Sequence, residues 1–455
     1  MKRTATDTLL TWKDSSHRKP LVLRGARQVG KTMLVREFGK SFELYVEFNF
    51  DETPDKESMF EGRPIEEVIR LIEVEVGAKL IPDQTLLFFD EVQAAPSVLP
   101  LLRYFYEKRP DIHVIAAGSL LEFLLADHSF SMPVGRIEYC FLTPLRFEEF
   151  ICGGGQESML GFLKSFDFSE TIPEAIHAKF ARLLQTYYLV GGMPEAAARW
   201  FETEDFLEVQ RVHAGILQTY QDDFSKYGRR VDPNCLRTTL RAIPGLVGEK
   251  VKYTNLDPHA KPAALNQAIR ALGAAGLISQ IFHTAGNGVP LGSEMNERRF
   301  KAIFLDIGLY ATSMSMRLLD LHQAGSLMLV NSGAFAEQYI GQALLNLKPA
   351  WVRPELFYWH REKRASNAEV DYITNQGATV LPIEVKAGKT GSLRSLHTFM
   401  AEKGGELGLR FNMDQPSWTT VTTEVAKVGR AEYQLLSLPL YLVGQSERLL
   451  SSGPR

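Results

Sequence analysis

The stretch GARQVGKT at residues 25–32 decides the fold, because it fits the phosphate-binding pattern G-x-x-x-x-G-K-[ST] at every position. The apolar run at residues 21–23 predicts a buried strand before it, and residues 33–38 have helical character. In that context the loop amides and the helix N-terminus face an anion. We expect Lys31 to reach the β- and γ-phosphates of ATP and Thr32 to bind Mg²⁺; the alternative is a chance glycine-rich turn. The loop residues expected to contact the nucleotide are Gly25, Ala26, Arg27, Gln28, Val29, Gly30, Lys31 and Thr32.

A phosphate-binding loop needs an acidic site on a neighbouring strand, and residues 85–93 (TLLFFDEVQ) supply a candidate. The four apolar residues at 86–89 predict a strand that is buried on both faces. Asp90 and Glu91 follow at its carboxyl end, where α/β sheets bind ligands. We expect Asp90 to hold Mg²⁺ through water and Glu91 to orient or deprotonate the attacking water. The alternative is an ordinary solvated strand end.

A third strand is predicted at residues 112–117 (IHVIAA), and Gly118 and Ser119 follow it. Ser119 lies where a polar side chain could sense the γ-phosphate or the attacking water. It also precedes an apolar stretch at residues 120–125, so it could equally be the N-cap of a helix. Both interpretations stay open from the sequence.

Arg136 lies in PVGR at residues 133–136, directly before an apolar strand predicted at residues 137–142. An arginine at this place lies at the subunit edge of oligomeric ATPases and can act there as an arginine finger on a neighbour's γ-phosphate. The alternative is a plain surface arginine.

The chain has 455 residues, which suggests about three domains. Its 45% hydrophobic and 23% charged residues are typical of soluble globular proteins, and no run approaches the ~18 apolar residues of a membrane span. We therefore expect no membrane partner, and residues 1–20 lack the apolar core of a signal peptide. Three scattered cysteines fit a reducing cytoplasm. A formal net charge of −3 means that any contact with nucleic acid must come from local patches.

Residues 1–150 resemble an AAA+ ATPase module. GARQVGKT, LLFFDEVQ, AAGS, the VGR before a strand and LTPLRFEEF at residues 142–150 are similar to the motifs of a widespread prokaryotic family. Members of that family join this module to a C-terminal domain of formerly unknown function that is related to PD-(D/E)xK nucleases. The resemblance covers nearly the whole chain. Its P-loop motif is highly specific for nucleotide binding, whereas the motifs together are much less specific for a biological role.

The middle of the chain is predicted to be helical. Three glycines at residues 153–155 suggest a flexible break at the end of the first domain, and helical patterns follow from about Glu174. GGMPE at residues 191–195 interrupts them with strong turn chemistry. We interpret it as a structural elbow; the alternative is a ligand loop.

A helix followed by a hairpin is predicted next, which is the outline of a winged helix. Residues 262–278 carry one apolar face at helical spacing, with Gly276 as the expected stop. Strands are predicted at residues 277–282 and 302–305. The candidate DNA contacts on this hairpin are Arg298, Arg299 and Lys301. Winged helices also serve as packing modules in ATPases, so the sequence leaves DNA contact open.

The C-terminal part combines a carboxylate on a helix with an acidic and basic pattern on strands. Glu337 lies on the apolar face of a helix predicted at residues 333–345, where a carboxylate is costly unless it is paired or metal-bound. Strands are predicted at residues 358–360, 369–373 and 382–386. Glu384 and Lys386 are two apart on a strand, so both point the same way. Asp371 lies on the adjacent strand, across a short turn at residues 375–377.

This layout resembles the core of PD-(D/E)xK nucleases. The resemblance implies that Asp371, Glu384 and Glu337 hold Mg²⁺, while Lys386 positions the water or stabilises the developing charge. The alternative is a nuclease fold that is retained for binding DNA or a partner. In either case we predict that these four side chains converge.

The sequence thus predicts an α/β protein: an AAA+ P-loop module (1–152), a helical and winged-helix domain (153–322) and a PD-(D/E)xK nuclease-like α/β domain (323–455). The expected function is Mg²⁺-dependent ATP hydrolysis coupled to action on DNA, branched or broken, by a homo-oligomer with little sequence preference. Two alternatives remain: a nucleotide-gated switch or scaffold that does not process DNA, and an ATP-coupled metal-dependent nuclease.

Overall fold

The structure is a computed structural model. It describes residues 1–119, 121, 132–226, 231–314, 317–323, 332–361, 368–388 and 392–453. None of the helices in these ranges is long and apolar enough to cross a membrane.

The first sheet has five parallel strands: β1 (Leu21–Arg24), β2 (Leu44–Asn49), β3 (Thr85–Asp90), β4 (His113–Ala117) and β5 (Glu138–Phe141). Their order across the sheet is β2-β3-β4-β1-β5. The strand β1, which leads into the phosphate-binding motif, therefore lies between β4 and β5, and β4 separates it from β3, which carries the acidic motif.

Both faces of this sheet are buried. Successive side chains of a strand point to opposite faces, and β3 shows that each face has its own hydrophobic core. On β3, Leu86 and Phe88 join one hydrophobic core, whereas Leu87 and Phe89 join another. The helices of this region are α1 (Ala5–Lys13), α2 (Lys31–Gly39), α3 (Ile65–Val76), α4 (Val98–Lys108) and α5 (Phe147–Gly153). The helix predicted at residues 120–125 lies outside the described residues except for Leu121.

The middle of the chain is helical, as predicted. Gly153 and Gly154 lie against the ring of Phe201, whereas Gly155 is exposed, and the flexible break suggested at residues 153–155 stays a prediction. The helices are α6 (Glu157–Ser165), α7 (Glu174–Val190), α8 (Pro194–Thr203), α9 (Phe206–Asp222), α10 (Pro233–Ala242), α11 (Tyr253–Leu256), α12 (Pro262–Ala274), α13 (Ile307–Ser313) and α14 (Leu318–Gln323).

The elbow at residues 191–195 joins α7 to α8 and has a structural role. The amide of Gly192 donates to a carboxylate oxygen of Asp306 over 2.7 Å, and its carbonyl accepts from the amide of Leu145 over 2.7 Å. A side chain at position 192 would collide with the Leu145 backbone, so only glycine allows this approach. The elbow therefore connects the middle helices, through hydrogen bonds, to the segment that follows β5.

The strands of the second sheet are β6 (Ile278–Thr284), β7 (Met295–Phe304), β8 (Phe357–His360), β9 (Glu369–Gln376), β10 (Thr379–Val385), β11 (Leu407–Asn412), β12 (Ser417–Val425) and β13 (Gly429–Pro439). Their order across the sheet is β12-β13-β11-β10-β9-β8-β6-β7. The remaining helices are α15 (Ser332–Leu347), α16 (Arg394–Lys403) and α17 (Ser446–Ser452).

The hairpin β6–β7 follows α12, as predicted, but it is not an independent wing. Phe282 and His283 of β6 pair in parallel with Phe357 and Tyr358 of β8, so the hairpin extends the C-terminal sheet. That sheet therefore continues across the domain boundary predicted between residues 322 and 323.

Candidate active site

The phosphate-binding motif connects β1 to α2 in the predicted way. Gly30 is the N-cap of α2 and has φ +92°, a left-handed conformation that favours glycine. The Lys31 side chain is 6% exposed, and its ammonium donates to the carbonyls of Gly25 (2.9 Å) and Ala26 (2.8 Å). Burial lowers the pKa of Lys31 to about 8, although Glu91 and Asp90 oppose that shift. Lys31 thus lies inside the loop, next to both acidic residues.

Thr32 and Asp90, the two residues predicted to bind Mg²⁺ beside a nucleotide, lie next to each other. The Thr32 hydroxyl donates to Asp90 Oδ2 over 2.6 Å. Asp90 is buried at the carboxyl end of β3, and burial raises its pKa. A hydroxyl and a carboxylate are oxygen donors of the kind that Mg²⁺ prefers, so these residues fit the ion.

Glu91 leaves the strand in a left-handed conformation, with φ +50° and ψ +46°. A non-glycine residue in this conformation is uncommon, and such residues concentrate at functional sites. The Ser119 hydroxyl donates to Glu91 Oε2 over 3.1 Å, and the Gln93 amide donates to the same oxygen. Ser119 therefore contacts the acidic motif; its alternative role as a helix N-cap involves residues outside the described ranges.

Arg136 lies in the loop before β5, which is an edge strand of the first sheet. Its side chain is 44% exposed, and its Nε lies 3.2 Å from a carboxylate oxygen of Glu107. An exposed position at a sheet edge is compatible with reaching a neighbouring subunit, and that role stays a prediction.

A second charged group lies in the C-terminal sheet and comprises four carboxylates, which we call the carboxylate cluster: Glu337, Glu369, Asp371 and Glu384. Glu337 comes from α15, Glu369 and Asp371 from β9, and Glu384 from β10. As predicted, β9 and β10 are adjacent, and they pair as an antiparallel hairpin.

Lys301 of β7 lies at the centre of this cluster, which corrects its predicted role as a DNA contact. The side chain is 2% exposed, and its ammonium lies 2.7 Å from Glu369, 3.2 Å from Glu337 and 3.9 Å from Asp371. Burial lowers the pKa of Lys301, but the carboxylates outweigh burial and hold that pKa well above its usual range. Arg298 and Arg299, by contrast, are exposed.

The predicted D…E-x-K residues come together on the other side of the cluster. Lys386 Nζ donates to Glu384 Oε1 over 2.6 Å, and Asp371 Oδ2 accepts from the amide of Val385 over 2.8 Å. Burial, reinforced by the charge of Asp371, raises the pKa of Glu384 to about 8. The charge of Glu337 acts in the same direction, so all four predicted side chains lie within electrostatic reach of one another.

The carboxylate cluster does not fit the metal role predicted for Glu337, Asp371 and Glu384. Within the described ranges, no group of three or more His, Cys, Asp or Glu side chains is arranged to hold a metal ion. The cation in direct contact with Glu337 and Asp371 is instead the ammonium of Lys301. A lysine from a separate hairpin thus supplies the positive charge that the sequence assigned to a metal.

Two members of this site were missed from the sequence. Glu369 precedes Asp371 by two residues on a strand, so the period of two could have placed both on one face. Lys250 bonds Glu369 over 3.0 Å from a segment more than a hundred residues earlier, and no local pattern indicates that contact.

Comparisons with known proteins agree with the N-terminal part of this description. Residues 17–151 match a family model described as an AAA domain, whereas residues 181–320 and 332–439 match two families described only as domains of unknown function. Among curated proteins, none matches this sequence.

Several solved structures are similar at low identity. A Walker-type ATPase of Pyrococcus abyssi is 16% identical, with 69% of this chain and 95% of that chain covered and a TM-score of 0.44. The ORC2 protein of Aeropyrum pernix is 14% identical, with 71% and 94% covered and a TM-score of 0.37. Drosophila ORC bound to DNA is 15% identical, with 69% and 86% covered and a TM-score of 0.27. Residues 17–151 are similar to AAA domains, and residues 25–32 have the sequence of a P-loop and its position between a strand and a helix.

Proposed function

We propose that this protein is a Mg²⁺-dependent ATPase of the AAA+ type that acts on branched or broken DNA as a homo-oligomer. The observation that carries the ATPase part is the meeting of Lys31, Thr32, Asp90 and Glu91 at one edge of the parallel sheet. Each of these side chains comes from a motif whose residue types suit phosphoryl transfer.

Each residue of this site has a separate role in the proposed hydrolysis of ATP. Lys31, which bonds the loop carbonyls in this structure, would neutralise charge on the β- and γ-phosphates, and Thr32 and Asp90 would hold Mg²⁺. Bound Mg²⁺ supplies further neutralisation of the phosphate oxygens. Glu91 orients the attacking water or takes its proton, and the hydroxyl of Ser119 fixes one oxygen of Glu91.

The DNA part of the proposal rests on a smaller patch than the sequence suggested. Arg298 and Arg299 are exposed on the outer strand of the eight-stranded sheet, while Lys301 is withdrawn into the carboxylate cluster. Two exposed arginines on an edge strand can bind phosphates without reading base sequence.

The C-terminal region is proposed as a nuclease-like domain that binds DNA or a partner. Asp371 and Glu384 lie on adjacent antiparallel strands, and Lys386, directly after β10, bonds Glu384; this placement supports the nuclease-like fold. Cleavage is not part of the proposal, because Lys301 pairs with the carboxylates that a metal would need.

The test is a Mg²⁺-dependent ATPase assay with single-stranded, duplex and branched DNA at several salt concentrations. We expect DNA to stimulate turnover, with an affinity that falls by about 0.9 log unit per log unit of salt for each phosphate neutralised. Replacing Arg298 and Arg299 with glutamine should weaken binding to every DNA alike. Arg430→Gln is the matched control, because Arg430 is an exposed strand arginine that pairs with Glu432 elsewhere on the same sheet.

If none of the DNAs changes the rate of ATP hydrolysis and none binds at low salt, the nucleotide-gated scaffold would be favoured over the proposed action on DNA.

A further inference from the structure

Two residues at the end of α9, in the helical middle of the chain, contact the P-loop. Arg27, the third residue of the loop, forms an ion pair through Nη1 with Asp223, which follows directly after α9. The hydroxyl of Tyr220, on the last turn of α9, donates to the backbone carbonyl of Arg27 over 2.7 Å. Both partners are buried, since the Asp223 side chain is 6% exposed and Tyr220 is 1% exposed.

Arg27 also faces the acidic motif of the sheet. Its Nε donates to the Ser119 hydroxyl over 3.2 Å, and that hydroxyl donates to Glu91 over 3.1 Å. The guanidinium of Arg27 therefore lies between Asp223 on one side and the Ser119–Glu91 pair on the other. Glu91 is the residue proposed to orient the attacking water, so a terminal phosphate would lie beside it. The Ser119 hydroxyl links Glu91 to the Arg27 guanidinium, which brings the guanidinium close to that place.

A guanidinium binds a carboxylate and a phosphate through the same fork of N–H groups. Asp223 and a terminal phosphate are therefore rival partners for Arg27. The carboxylate of Asp223 also contributes a buried negative charge near the place where a polyphosphate must bind, and charges of like sign repel. Both effects oppose the binding of ATP.

We propose that Asp223 is an internal competitor of the γ-phosphate for Arg27, and that this competition couples nucleotide binding to the docking of α9 on the P-loop. The inference rests on the proposed ATPase function and adds a regulatory contact to the same site. The coupling is reciprocal: if a docked Asp223 weakens the binding of ATP, then bound ATP weakens the docking of α9 by the same factor.

Affinity for the ATP analogue AMP-PNP with Mg²⁺ tests the first half of this coupling. Asp223→Asn removes the charge at nearly constant size and should bind AMP-PNP about 5- to 20-fold more tightly than the wild type, within the usual range of coupling between sites. Arg27→Gln should bind more weakly than the wild type. Adding Asp223→Asn to Arg27→Gln should then give a smaller gain than Asp223→Asn gives alone, because the contested guanidinium is absent and only the charge repulsion is removed.

The matched control is Asp222→Asn. Asp222 is the neighbouring carboxylate, but it is exposed and accepts from Gln218 over 2.8 Å on the helix surface. Its neutralisation should leave the affinity for AMP-PNP within about twofold of the wild type, since exposed charges are strongly screened.

Hydrogen exchange on the wild type tests the second half without any substitution. AMP-PNP should speed amide exchange in residues 206–222, whereas ADP, which lacks the γ-phosphate, should not. An Asp223→Asn variant that folds and binds AMP-PNP no more tightly than the wild type would overturn the inference and leave the ATPase proposal intact. Unchanged exchange in residues 206–222 with saturating AMP-PNP would also overturn it. A wild-type protein that binds no nucleotide would overturn the ATPase proposal and this inference together.

Discussion

Lys301 places a positive charge inside the carboxylate cluster, in contact with three acidic side chains. Lys301→Met keeps most of the side-chain length and removes that charge. The free energy of unfolding should fall by about 3–5 kcal/mol, because breaking a buried ion pair leaves the other partners uncompensated. Urea denaturation measures this change. Arg298→Met, on the exposed part of the same strand, is the control and should change stability by about 0.5 kcal/mol or less.

The same variant tests whether a lysine stands in for a metal. Mn²⁺ should raise the melting temperature of Lys301→Met, since the carboxylates then lack their cation, and it should leave the wild type unchanged. A wild type that Mn²⁺ stabilises as much as the variant would contradict the assignment of Lys301 as the internal cation.

Among the secondary structure elements, α7, α9 and α13 meet at a buried histidine. His213 of α9 bonds the Val190 carbonyl at the end of α7 over 3.0 Å and the Thr312 hydroxyl of α13 over 2.9 Å. Burial lowers the pKa of His213 to about 4. In the unfolded chain, His213 has its ordinary pKa of about 6.5, so below that pH it binds a proton that the folded protein does not bind. Folding stability therefore falls as the pH drops from about 6.5 towards 4.

This one group should cost about 2 kcal/mol between pH 7 and pH 5. Unfolding free energies at the two pH values, compared between the wild type and His213→Gln, isolate the contribution of His213. An equal loss of stability in both proteins would show that His213 does not cause the acid sensitivity.

The elements that the sequence predicted well are those with a local pattern. The strand, loop and helix around residues 25–32 were predicted because spacing and residue type there depend on near neighbours. Glu384 and Lys386, two residues apart, also lie together as predicted, although β10 ends at Val385 and Lys386 follows it. The pairing of β6 with β8 joins Phe282 to Phe357, and no pattern within the hairpin specifies such a distant partner. Lys301 was misassigned for the same reason: the carboxylates that make its burial tolerable lie 36 to 70 residues away along the chain.

Substitution of Arg136 tests whether neighbouring subunits cooperate in ATP hydrolysis. Arg136→Ala should lower turnover by roughly 10³- to 10⁵-fold and keep most of the affinity for ATP, as expected of an arginine finger. Mixing it with Lys31→Ala protein should restore part of the activity, because mixed interfaces then pair an intact P-loop with an intact finger. Full activity in a strictly monomeric preparation would rule out a role across subunits.

Turnover and nucleotide binding, measured on the same Glu91→Gln sample, test whether the edge of the first sheet hydrolyses ATP. With Mg²⁺ present, we expect ATP binding close to that of the wild type and turnover reduced by about 10²- to 10⁴-fold, the usual contribution of a general base. Lys31→Ala should lose binding as well, because it lacks the charge that faces the β- and γ-phosphates. Wild-type turnover in both variants would contradict the assignment of this site.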